Sequence, residues 1–254
     1  MSFEAALVVA TFIIFTAVFF ILVRVNKGRM QQKEEDLRKA ATLRGWTFEK
    51  KTEGGYRICH YTGTSEGVAW EAESAVFVAG GNNRQKRRHI ARWHGKWSPG
   101  VTAPIVAIGV PKGKEGFATS VAQGDGFFAR LAVKAAGFAF DKAIDVYFGD
   151  AIGKEIDAGT LRRVESPAVP GFIVMAGNVD EGSRILTEGL QRALVEASNT
   201  PGNVLAETDR PYLLVRPQGI SLARMDQFRD VAEIDQFIKA GLRLTGAFRF
   251  GRRG

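Results

Sequence analysis

Apolar and polar positions alternate with different periods along this chain, and each change of period predicts an element. The first stretch has no period at all: Ala5 to Val23, AALVVATFIIFTAVFFILV, carries no ionisable side chain. Phe, Ile and Val surround a helix built on it, so no polar face is left to meet water. At about 1.5 Å per residue it is just long enough for a hydrocarbon core of about 30 Å, where the backbone satisfies its own polar groups only as a helix or a closed barrel. The expectation is an N-terminal transmembrane helix. A signal peptide would need a basic start and a small-residue cleavage site. This chain begins Met-Ser-Phe-Glu and leaves the run through Arg24-Val25-Asn26-Lys27.

Met30 to Arg44 reads as a charged helix, with Glu34/Arg38 and Glu35/Lys39 in the favourable i,i+4 order. Gly45 stands where a left-handed C-cap belongs. From Trp46 the period drops to two. Tyr56–Tyr61, Gly67–Val78 and His89–Trp97 predict antiparallel strands. If the last two form a hairpin centred on Asn82 and Asn83, Val68 faces Trp97, Trp70 faces Gly95 and Ala72 faces Trp93. The opposite face then pairs Glu73 with Arg92, Glu71 with His94 and Phe77 with Arg88. A slip of one residue would turn this pattern inside out. Pro104–Val110 (PIVAIGV) predicts a buried strand, and Lys112–Gly126 a loop.

Phe127 to Phe148 turns helical and rich in phenylalanine, and 149–170 reads as irregular. Phe172–Ala176 predicts a strand, and a helix with Leu186, Leu190, Ala193, Leu194 and Ala197 on one side follows. Val204–Glu207 and Tyr212–Arg216 predict a hairpin. Ser221 is placed to cap a final helix bearing Met225, Phe228, Val231, Ile234 and Ile238. The fold class expected is α+β: the transmembrane helix, then a cytoplasmic domain of mainly antiparallel strands with flanking helices. Its parts are an anchor with a basic flank (1–29), a juxtamembrane helix (30–45), an antiparallel β unit (46–111), a Phe-rich helical insertion with loops (112–170), a strand-helix-hairpin-helix unit (171–244) and a loose basic tail (245–254).

Charge adds a direction. Arg24, Lys27, Arg29 and Lys33 all follow the apolar run and none precedes it, which places the N-terminus outside an inner membrane and the bulk of this single-pass chain in the cytoplasm. The formal net charge of +8 is otherwise spread thinly, and beside a membrane such an excess reads as attraction to anionic headgroups. A single cysteine, Cys59, excludes an intramolecular disulfide and fits a reducing compartment.

Candidate chemistry is sparse. Cys59 and His60 are neighbours on a strand and point to opposite faces, as do His89 and His94, so no metal site is expected. Cys59 has no orienting triad, no serine sits in G-x-S-x-G, and Gly113-Lys114-Glu115 is not a phosphate-binding loop. Asp141 and Asp145 share a helix face with Arg130 and Lys134, which reads as a solvated surface. No catalytic residue and no cofactor is expected. The cluster Arg84, Lys86, Arg87, Arg88 and Arg92 is the candidate patch for anionic lipid or an acidic partner. Nucleic acid is disfavoured because the hairpin register turns Trp93 and Trp97 away from these cations. Phe128, Leu131 and Phe138 on one helix side, with Phe127 widening the apolar surface beyond it, are candidate apolar contacts in the core, under a lid or on the bilayer.

The order of anchor, charged helix, Gly45-Trp46, Gly67-x-x-Trp70 strand, basic hairpin, V-A-I-x-V-P strand, then GFIVMAGNVDEGSRILTEGLQRAL and PYLLVRPQGISLARMDQF resembles a loose group of bacterial single-pass membrane-anchored proteins of unknown function. The resemblance implies a fold and a location and carries no activity. The function expected is a membrane-tethered cytoplasmic binding or scaffold module, such as an accessory subunit of a membrane complex, with a protein partner at the membrane and the bilayer itself held through residues 5–23. The alternative is an enzyme at the membrane surface whose site the sequence does not display.

Overall fold

The computed structural model describes residues 3–53, 55–77, 89–110, 155–166, 168–199, 210–225 and 230–251, with single positions at 144, 147, 148, 152 and 228. The chain divides into two compact units, residues 1–45 and 46–254.

The first unit is α1 (Phe3–Leu43), one uninterrupted helix. It closes through Arg44 N–H to Ala41 O (3.0 Å), Gly45 N–H to Thr42 O (2.9 Å) and a φ of 70° at Gly45, the left-handed stop expected there. Glu34 and Arg38 pair at 3.9 Å. The side chains of residues 3–14 lie outside the described set. Among the described residues no helix is long and apolar enough to cross a membrane. The transmembrane span is therefore a reading of the sequence.

The second unit is α+β, built on a fully antiparallel nine-stranded sheet. Its strands are β1 (Thr47–Glu53), β2 (Tyr56–Ser65), β3 (Val68–Phe77), β4 (His89–Lys96), β5 (Ile105–Gly109), β6 (Arg162–Arg163), β7 (Phe172–Ala176), β8 (Tyr212–Arg216) and β9 (Gly219–Arg224). In space they run β1-β2-β3-β4-β9-β8-β5-β7-β6. Among the described residues the helices with stated bounds are α2 (Val179–Ile185), α3 (Glu188–Asn199) and α4 (Val231–Gly251).

The β3–β4 register is the one expected: Trp70 opposite Gly95, Glu71 opposite His94, Ala72 opposite Trp93 and Glu73 opposite Arg92. Period two divides the sheet into two faces. One carries Tyr61, Trp70, Ala72, Trp93, Ile220, Leu222, Leu213, Val215, Ile105 and Ala176, all buried. The helices cover this face. Gly241 lets α4 come down onto Trp93, since a Cβ there would fall inside the indole, and a Cβ at Gly182 would meet Ala176 of β7 at 2.9 Å. Leu190, Ala193, Leu194 and Ala197 form the buried stripe of α3 as their spacing predicts, but Leu186, expected on the same helix, is the C-cap of α2. Glu181 of α2, 4% exposed, pins the loop before β5: its carboxylate accepts from the N–H groups of Thr102 (2.9 Å) and Ala103 (3.2 Å) and from the Thr102 hydroxyl (3.0 Å).

Three expectations are corrected. Ser221 caps no helix; it lies inside β9, and Asp230 caps α4, accepting from Ala232 N–H (2.8 Å) and Glu233 N–H (3.0 Å). Tyr212–Arg216 turns directly into β9 through Pro217-Gln218, while Val204–Glu207 lies outside the described residues. The tail expected to be loose from 245 is helical to Gly251, with Arg249 donating to Glu66 O (2.8 Å) and lying 5.4 Å from the Trp97 ring centre.

Candidate functional site

The other face of the sheet carries the polar chemistry, and strand register builds it row by row. One cross-strand row reads Glu49, His60, Glu73, Arg92, Ala223, Tyr212; the next reads Thr47, Thr62, Glu71, His94, Ser221, Leu214. Directly opposed positions place side chains about 5 Å apart at Cβ, within reach of ion pairs and hydrogen bonds.

Glu71 is the hub of the second row. Its Oε2 lies 3.8 Å from His60 Nε2 and 3.5 Å from Lys96 Nζ. The His60 imidazole is the chief influence drawing its pKa down to about 2; Lys96 and His94 add to this, against the opposing effect of burial. Glu71 is therefore a fixed anion across the working pH range. His94 Nδ1 stands 2.9 Å from Ser221 Oγ across the β4–β9 pair. Burial holds His94 below the ordinary histidine range, with Arg216 and Lys96 contributing and Glu71 opposing. Gly219 makes room for the ring, since a Cβ there would meet His94 Cε1 at 2.7 Å.

Toward β8 and β5 the same face turns apolar and is covered. Val106, Leu214 and Ala223 form its floor, and Ile144, Tyr147, Phe148, Ile156 and Leu161 lie over it. The Tyr147 and Tyr212 rings stack at 3.8 Å. Two arginines of the sheet hold this cover at its polar rim. Arg92 Nε donates to Tyr147 O at 2.8 Å while its Nη1 meets Glu73 Oε2 at 3.3 Å, and Arg216, itself buried, donates to Glu155.

Of the residues singled out from sequence, Arg92 belongs to this arrangement, half-buried as a tether. Arg84, Lys86, Arg87 and Arg88 lie outside the described residues, as do Phe127, Phe128, Leu131 and Phe138. The C-terminal end of that Phe-rich stretch is described, and Ile144, Tyr147 and Phe148 are core. From the sequence Ser221 is read only as a helix cap, and Arg216 has no assigned role. Their signal is the two-residue period of β9 and β8, which near-complete burial of both strands conceals. Among the described residues no group of three His, Cys, Asp or Glu side chains could hold a metal ion. Chemically the arrangement offers a fixed anion, a neutral histidine and a buried hydroxyl along one sheet face.

No family model, no curated protein and no solved structure matches this chain.

Proposed function

We propose that this protein is a single-pass membrane-tethered binding module, with residues 5–23 in the bilayer and the α+β unit presented to a protein partner on the cytoplasmic side. The observation that supports the tether is the exposure of the described apolar side chains of α1. Phe15, Val18, Phe19, Phe20, Ile21, Leu22 and Val23 are all between 47% and 73% exposed, and the consecutive positions 18–23 encircle the helix. In water such a surface is costly, at about 25 cal/mol per Å2 of apolar area. In a bilayer it is the expected one. The basic flank Arg24, Lys27, Arg29 and Lys33 supports the orientation and suits anionic headgroups.

A second reading, an enzyme at the membrane surface, draws on the Ser221–His94 pair and on Glu71 and Glu73 beside it. Ser221 is only 3% exposed, which favours binding over nucleophilic catalysis. Alkaline carbonate extraction of native membranes tests the tether; release of the full chain into the supernatant would overturn it. Orientation is read at Cys59, the sole thiol. A membrane-impermeant maleimide should leave it unlabelled in sealed spheroplasts and label it after permeabilisation and denaturation. Co-purification from mild detergent then identifies the partner.

A further inference from the structure

We draw no further inference here: the strongest candidate, the outer edge of strand β1 at the end of the described sheet, carries nothing because nothing in the structure shows what covers it.

Discussion

On the helix side of the sheet size alternates across strands: Trp70 lies against Gly63, and Trp93 lies between Gly95 and Gly241. On the other side charge alternates, with His60 opposite Glu73 and Glu73 opposite Arg92. The two faces share the same backbone and differ in what a substitution must disturb. Where a ring fills the space left by a glycine, neighbours are rigid and any change of volume is felt. Where charges meet half in water, each pair is screened and replaceable. The helix side therefore contributes more to stability than the charged rows of the other side.

The largest expected effect lies on the helix side. Trp93→Ala removes a wholly buried indole and should cost about 3 to 5 kcal/mol in denaturant titration. Gly241→Ala approaches the same contact from above and should cost about 1 to 3 kcal/mol, because the added methyl meets a ring wedged against its own strand neighbour. Combining Gly241→Ala with Trp93→Leu should cost less than the sum of the two. Strict additivity would show that α4 does not rest on that ring.

Glu181 tests whether polar groups on the helix side obey the same rule. It is buried with three donors on its carboxylate, so Glu181→Ala should cost about 2 to 3 kcal/mol, more than an ordinary surface charge. Burial pushes its pKa up, but the Thr102 and Ala103 donors outweigh this and hold it below the usual carboxylate range. A folded pKa below the unfolded one means a contribution present at neutral pH and lost as the pH falls below about 4.5. Wild type should lose more stability than Glu181→Ala between pH 5 and pH 3; equal losses would contradict the assignment.

These contrasts explain what was legible beforehand. The β3–β4 register could be read because its two faces differ, so a slip of one residue would have put Glu71 and Glu73 in the core. GISLAR offered no such contrast. All six residues of β9 are buried, the alternation vanishes, and Ser221 mimicked a helix cap. The β4–β9 pairing joins segments more than a hundred residues apart, and nothing local announces it. Hence Arg92 is legible in the sequence as a cation but not as a tether, and no local pattern points to the His94–Ser221 contact. The helical end at 245–251 was hidden because its anchor, Trp97 with Glu66 O, lies in the other half of the chain.

On the polar side, Arg92→Ala should cost about 1 to 2 kcal/mol. That exceeds a surface ion pair, because the Nε donor to Tyr147 O is lost together with the Glu73 contact. Arg92→Lys should recover the Glu73 pair but not the full tether, since a single ammonium does not reproduce the guanidinium fork. Glu71→Gln should cost about 1 kcal/mol or less at pH 7, since its ion pairs are partly exposed and screened. The Glu71 contribution is present at neutral pH and lost as the pH falls from about 4.5 toward about 2. If Glu71→Gln proved as costly as Trp93→Ala, the contrast between the faces would fail.

The smallest effect belongs to a position on neither face and gives the scale for the rest. Glu66 has φ 54° and Gly67 φ 72°, the pair of positive values that a two-residue turn between β2 and β3 requires. Gly67 adopts this conformation freely, whereas Glu66 is the one described non-glycine residue with positive φ. Arg249 bonds only its carbonyl oxygen, which any residue supplies. Among the described residues, replacing the side chain therefore removes strain without removing a hydrogen bond or ion pair. Glu66→Asn, a residue that tolerates the left-handed region, should stabilise the protein by about 0.5 to 1 kcal/mol. Glu66→Gly should gain less, because glycine also widens the unfolded ensemble. Glu66→Val should lose stability, since a β-branched residue is disfavoured there. Thermal melts of the three variants give the order Asn, Gly, wild type, Val; a valine variant as stable as wild type would mean that the turn does not hold this backbone.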